Sequence, residues 1–497
     1  MNLRAIAITA GMLASVSLGS ADLPNNNDLP TGSKYMKLDV EKWWGDSFAS
    51  ARRKLPNKFI ELEKRDNDYV SVEINNKQTY YSVDLHIGTP PQQVTVLVDT
   101  GSGDLWVVGA GVYCGPNYSP TSLDCMGMGA FNTSSSSSWK GNNTEFSISY
   151  ADATYASGEW GVDTLRFGDL HVDGLTFAVA NATNSSTAVL GIGLPGIEST
   201  NLNSRSLSDG YTYDNLPVML KRDGVIAKNA YSLFTNQLTA DSGSVLFGGV
   251  DHKKYSGQLL TLPIVNTYPG LPAPVELAIA LDGIGYSTDR SRQTIVSTSF
   301  AALLDSGTTF SYFPVRVAEV LADAVGARWS SRAGAFLGRC TPESNSAAFD
   351  FNFGGARISV PISNFILQTR QPGLCAFSFF PHSRSIIILG DVFLSSAYVV
   401  YDLENYEISL AQATYDSSEE IEPIISTVPR AVRASGYSAT LRPGATPAGG
   451  GDVYGSDEST GVSTRSRSEG IFVNGGQILG SCTSIAFSII GLLSVII

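Results

Sequence analysis

Val96-Leu97-Val98-Asp99-Thr100-Gly101-Ser102, in the first half of the chain, is answered in the second half by Ala302-Leu303-Leu304-Asp305-Ser306-Gly307-Thr308. Each copy is three apolar residues, an aspartate, a hydroxyl residue, a glycine and a second hydroxyl residue. A short apolar run of this kind reads as a buried strand, so the aspartate at its end is carried out of a core to the floor of a cleft. Glycine permits the sharp turn that follows, and the hydroxyls are placed to donate to carboxylate oxygens and fix their direction. Downstream of each copy an apolar pair runs into glycine, as Val189-Leu190-Gly191 and as Ile388-Leu389-Gly390-Asp391. One Asp-Ser/Thr-Gly is an ordinary turn. Two of them, each led by an apolar strand and followed by the same second element, predict two similar lobes in approximate two-fold symmetry, joined near 248–256.

Working outward, short strands dominate. Residues 69–74, 80–87, 94–98 and 105–108 alternate or run apolar between turns such as Asn75-Asn76 and Gly88-Thr89-Pro90-Pro91. Comparable runs recur at 165–167, 175–179, 244–247, 386–389 and 398–401; few long stretches show a helical period, and 315–325 is the best candidate. The expected fold is all-β and bilobal: two β-barrel-like lobes with pseudo-two-fold symmetry and an active-site cleft between them. A first lobe is expected over 66–255 and a second over 256–414.

Two such loops facing each other bring two carboxylates together. Like charges that close do not both ionise, so the pair shares one proton and titrates as a unit. One carboxylate then serves as base on a water while the other donates to a substrate carbonyl, with no covalent intermediate. Asp99 and Asp305 are the expected catalytic pair, supported by Thr100, Gly101, Ser102, Ser306, Gly307 and Thr308.

Those two loops, with Leu105-Trp106-Val107, Ile388-Leu389-Gly390-Asp391-Val392-Phe393 and Ile87-Gly88-Thr89-Pro90-Pro91-Gln92, resemble the pepsin family of aspartic proteases over about 66–414. With the processing features described below, the chain looks like the yapsin branch of fungal cell-surface enzymes. The resemblance implies that Ser102 and Thr308 bond the outer carboxylate oxygens and that Thr100 and Ser306 tie the two loops together. It places Tyr150, in Ile148-Ser149-Tyr150-Ala151-Asp152, as the flap tyrosine with its hydroxyl towards Trp106. Ala151 departs from the glycine that many relatives carry there. Asp152, two positions past the flap tyrosine, could face the side chain before the scissile bond and favour Lys or Arg. The alternative is a solvated residue at the flap tip.

Both ends read as processing signals. Arg4, the apolar run 5–18 and Gly19-Ser20-Ala21 form a secretory signal peptide over 1–21. Residues 22–65 carry nine Lys/Arg against seven Asp/Glu and end in Lys64-Arg65, within a chain of formal charge −13. That contrast reads as a pro-segment cut by a basic-site processing protease. Residues 415–474, rich in Ser, Thr, Pro and Gly, read as a stalk. Asn474-Gly475-Gly476, a polar spacer and the apolar 485–497 read as a GPI signal, with attachment near Asn474 and removal of 475–497. The expected location is the secretory pathway and then the cell surface, anchored through lipid at the plasma membrane or cell wall. Cys482 falls in that tail. The other four cysteines allow three pairings, of which Cys114–Cys125 and Cys340–Cys375 give one local bridge per half. Asn117, Asn132, Asn142, Asn181 and Asn184 begin glycosylation sequons.

The net negative charge argues against nucleic-acid binding. His86, His171, His252 and His382 lack metal-ligand spacing, so no metal and no cofactor is expected. Gly191-Ile192-Gly193-Leu194-Pro195-Gly196 fits a dinucleotide pattern but lacks the following helix and acidic residue. The expected partners are peptide or protein substrates, the processing protease and a membrane reached through the lipid anchor, with the enzyme a monomer. The competing readings are a broad acid protease of hydrophobic preference and an inactive wall mannoprotein.

Overall fold

The computed structural model describes residues 35–45, 59–65, 69–73, 78–115, 125–150, 154–167, 170–202, 210–268, 270–340, 346–369, 371–437 and 452–454. The expected signal peptide, Asn117, Asp152, Asn474 and the tail 475–497 lie outside these residues.

The two aspartate strands are built alike. In the first half, Gln92–Asp99 buries Val94, Val96 and Val98. It pairs antiparallel with Gln78–Ile87 and parallel with Ala188–Gly191, where Leu190 stands opposite Val98 and Gly191 opposite Asp99. Ala188–Gly191 in turn pairs antiparallel with Leu105–Cys114, Val189 facing Trp106. In the second half, Phe300–Leu304 pairs parallel with Ile387–Leu389, Leu304 opposite Leu389. Ile387–Leu389 then pairs antiparallel with Ser311–Pro314. The helix at the expected place, Val315–Ala324, follows and buries Val317, Ala318 and Leu321. The all-β, two-lobed expectation holds.

The echoed glycines are explained by crowding. Each parallel strand ends where the chain of its aspartate loop passes directly over it. A Cβ on Gly191 would lie 2.6 Å from the Asp104 amide nitrogen, and one on Gly390 would strike the carbonyl oxygens of Thr308 and Phe310. The pattern 191–196 is therefore a close-packing device, followed only by the short helix Ser199–Leu202.

A 14-stranded sheet runs through both halves. They meet where Ala230–Phe234 pairs antiparallel with Ala397–Asp402. Two stretches outside the expected lobes also join this body. Met36–Gly45, within the segment read as a pro-segment, is a strand between Ser242–Phe247 and Gln78–Ile87. Its Lys42 is fully buried, 3.5 Å from Asp391, which also accepts a hydrogen bond from the Tyr81 hydroxyl. Beyond 414, where a stalk was expected, Ile421–Pro423 pairs with Gly249–Asp251 and Ala431–Arg433 with Tyr255–Pro263. Ile424 and Val428 are buried there, and Tyr454 donates to Asp350 at 2.6 Å. Single apolar residues among polar ones anchor this extension, which is why no sustained period marks it in the sequence.

Cys114 bridges Cys125 and Cys340 bridges Cys375, with Cα separations of 6.1 and 5.3 Å. Asn142 is exposed, whereas the Asn184 side chain accepts the Tyr155 amide at 2.7 Å.

Candidate active site

Asp99 and Asp305 arrive at the ends of their strands at the junction of the lobes, both buried. Their hydrogen bonds repeat each other. The Gly101 amide donates to Asp99 Oδ1 at 2.8 Å and Ser102 Oγ to Oδ2 at 2.5 Å. The Gly307 amide donates to Asp305 Oδ1 at 2.9 Å and Thr308 Oγ1 to Oδ2 at 2.6 Å. Charge-assisted bonds of this kind are short and hold each carboxylate in one orientation.

Neither glycine tolerates a side chain. A Cβ on Gly101 would lie 2.6 Å from Asp305 Oδ1, and one on Gly307 closer still to Asp99 Oδ1. Each loop's glycine thus faces the other loop's aspartate, and this sets how closely the two halves approach.

Beneath the carboxylates the loops are cross-linked. The Thr100 amide donates to Ser306 Oγ at 3.1 Å and the Ser306 amide to Thr100 Oγ1 at 2.9 Å. Thr100 Oγ1 then donates to the Leu304 carbonyl at 2.9 Å and Ser306 Oγ to the Val98 carbonyl at 3.0 Å. Four bonds made by two side chains lock the halves in register.

Burial pushes both carboxyls above the ordinary aspartate range, and the neighbouring charge of Asp99 pushes Asp305 further. Two buried carboxyls in contact retain a proton that either alone in water would lose.

Lys140–Ser149 and Tyr155–Phe167 form an antiparallel ribbon, with the Tyr150 amide donating to the Thr154 carbonyl at its end. Trp106 Nε1 donates to the Tyr150 hydroxyl at 2.8 Å. The expected flap tyrosine and its tryptophan are therefore brought together.

Sequence reasoning missed two groups. Asp104, two residues past Ser102, is buried, accepts the Tyr213 hydroxyl at 2.7 Å and the Ser199 amide at 2.8 Å, and lies beside Glu198. Rings connect this acid pair to the flap: Tyr213 to Trp160, Trp160 to Phe146 and Phe146 to Trp106, at centroid separations of 5.3, 5.1 and 6.5 Å. An aspartate directly before the apolar Leu105-Trp106 was the available signal. The second group, Tyr231 and Tyr401, lies under the loops and carries no local signal, because its partners are distant in sequence. Among the described residues no cluster of three or more His, Cys, Asp or Glu is placed to hold a metal ion.

Residues 80–413 match the family described as eukaryotic aspartyl protease. Aspartic proteinase yapsin-3 of Saccharomyces cerevisiae is 45% identical, over 91% of this chain and 86% of its own length. Aspartic proteinase MKC7 of the same yeast is 41% identical, over 90% and 84%. Secreted aspartic protease 9 of Candida albicans is 34% identical, over 73% and 82%. Among solved structures, the aspartic proteinase from Irpex lacteus superposes with a TM-score of 0.55 at 22% identity, covering 68% of this chain and 96% of that one. That likeness supports the fold.

Proposed function

The chain belongs to the eukaryotic aspartyl proteases and is an aspartic endopeptidase of the yapsin type, and from that premise we propose that Asp99 and Asp305 are its catalytic pair. The observation that carries the assignment is the duplicated set of bonds around two buried carboxyls whose loops touch. The pair holds one proton in common, since burial raises both carboxyls and the Asp99 charge acts on Asp305, with Asp305 proposed as its donor. Asp99 takes a proton from a water as its oxygen attacks the peptide carbonyl carbon, and Asp305 gives its proton to the carbonyl oxygen. On collapse the C–N bond breaks, the nitrogen leaves with a proton supplied by the pair, and one proton remains on the dyad. The products are a carboxylic acid and an amine. The flap excludes water from the peptide and orients it.

We further propose that the chain enters the secretory pathway through residues 1–21 and is cut after Lys64-Arg65. It is then held at the cell surface by a lipid near Asn474, with one or more of Asn117, Asn132, Asn142, Asn181 and Asn184 glycosylated. Asp152 on the flap favours Lys or Arg before the scissile bond. The residue pattern at both ends and the yapsin-type relatives support this reading.

Asp99→Asn and Asp305→Asn, each in folded and matured protein, test the central assignment on an acid-pH peptide panel. Each is expected to lower kcat by at least about three orders of magnitude, since neither the base nor the proton donor is replaceable. Undiminished hydrolysis by either variant would refute it.

A further inference from the structure

Directly under the cross-linked loops, Tyr231 and Tyr401 stand opposite each other in the ladder where the halves meet. Both are fully buried, and their rings lie 5.0 Å apart. Tyr231 is in the strand Ala230–Phe234 of the first half and Tyr401 in Ala397–Asp402 of the second, so the two-fold symmetry of the fold makes them counterparts. Their hydroxyls are nevertheless used differently. The Tyr401 hydroxyl donates to the Leu304 carbonyl at 3.4 Å. That oxygen also accepts Thr100 Oγ1 at 2.9 Å, and it belongs to the residue just before Asp305. On the equivalent side, the Val98 carbonyl just before Asp99 accepts Ser306 Oγ, while the Tyr231 hydroxyl finds no partner among the described residues.

We propose that Tyr401 is a positioning residue for Asp305, and that the bonded Tyr401 set against the unbonded Tyr231 makes the two halves of the dyad unequal. The proposal rests on the assignment of Asp99 and Asp305 as the catalytic pair. The Leu304 carbonyl is held by two donors, one from each half of the chain, so the peptide that leads into Asp305 is pinned from beneath. Val98 has one such side-chain donor, Ser306 Oγ. The groups facing Tyr401 are Thr100, Asp305 and Tyr231, and those facing Tyr231 are Tyr401 and Asp99. The Asp305 charge destabilises an ionised Tyr401, as the Asp99 charge does an ionised Tyr231. Both phenols therefore stay neutral and act through geometry rather than proton transfer.

The asymmetry predicts opposite behaviour from two identical substitutions. Tyr401→Phe removes a donor from a buried carbonyl, loosening the approach of Asp305 to the reacting carbon. Small displacements of a reacting group are costly in rate. Tyr231→Phe removes a buried hydroxyl that bonds none of the described residues, a change that is neutral or stabilising.

The test uses matured protein. Active sites are counted by titration with a tight-binding transition-state analogue, and kcat and KM are measured per titrated site alongside Tm. Tyr401→Phe is expected to lose about tenfold in kcat with KM within twofold of wild type. Tyr231→Phe is expected to keep kcat within twofold and Tm at or above wild type. Wild-type kcat per site in Tyr401→Phe, or an equal loss in both variants, overturns the proposal. Asp305→Asn assayed beside them separates the two claims: its activity would sink the catalytic assignment, whereas its inactivity together with an unaffected Tyr401→Phe would sink only the positioning role.

Discussion

At the scale of single residues, the site is governed by where a side chain is not allowed. Gly307 is the clearest case, since its hydrogen atoms face Asp99 Oδ1 at a distance that no Cβ could share. Its own amide donates to Asp305 Oδ1, so the same residue orients one carboxyl and makes room for the other. Gly307→Ala therefore has to push the lobes apart or rotate Asp99 away from Ser102. Either movement separates the two carboxyls by a fraction of an ångström to an ångström. A displacement of that order costs about 100-fold in rate when it falls on reacting groups. The variant is expected to fold, losing about 1–3 kcal/mol of stability from overpacking, while kcat falls about 100-fold and KM changes little. Steady-state kinetics corrected for active-site concentration check this, and a kcat within threefold of wild type would remove the steric argument.

At the scale of elements, the informative comparison is between the aspartate strands and the segments beyond them. The strands 92–99 and 300–304 were legible because their last three apolar residues, Val96–Val98 and Ala302–Leu304, are buried and run straight into an aspartate, and the glycines that end the paired strands, Gly191 and Gly390, have one physical explanation. The pairing of Trp106 with Tyr150 followed from resemblance, and the structure places the bond there. The strand Met36–Gly45 was not legible as part of the body. Its Lys42 looks like a surface charge until Asp391, far away in sequence, is seen beside it. The extension to 437 was hidden for a similar reason, because Ile424 and Val428 are isolated apolar residues whose partners lie on other strands. Periodicity reports an element's own face, not a partner supplied from elsewhere. The flap offers a prediction at this scale, since Asp152 follows the expected flap tyrosine, Tyr150, by two positions in the sequence. A carboxylate there would attract a cationic side chain before the scissile bond, an exposed pairing worth up to about 1 kcal/mol. Asp152→Ala is therefore expected to reduce the preference for Lys over Leu by about fivefold in paired peptides, leaving the Leu peptide unchanged. An unaltered Lys/Leu ratio would assign Asp152 to solvent.

At the scale of the whole molecule, acidity is built into the first lobe behind the flap as well as into the dyad. Glu198 is buried beside Asp104, accepts the Tyr213 amide at 2.8 Å and has Asp214 nearby as a further negative charge. Burial is the main cause of its raised value, about 9 against an ordinary 4.5, and the charges of Asp104 and Asp214 add to it. Asp104 is itself pushed up by burial. Between about pH 4.5 and 9 the folded protein keeps the Glu198 proton that the unfolded chain releases. The unfolded state binds fewer protons throughout that window, so stability falls as pH rises, by about 1.4 kcal/mol per pH unit at the steepest. The contribution is complete below pH 4.5, where both states are protonated, and is lost as pH passes through about 9. Ring contacts run from Tyr213 through Trp160 and Phe146 to Trp106, which bonds the Tyr150 hydroxyl. Glu198→Gln keeps an acceptor for the Tyr213 amide and cannot ionise. Its denaturant unfolding free energy is therefore expected to decline less steeply between pH 5 and 9 than that of wild type, by the slope of one proton, with Asp104 supplying the decline that remains. If the two proteins lose stability in parallel across that range, Glu198 is not the group that makes this fold favour acid.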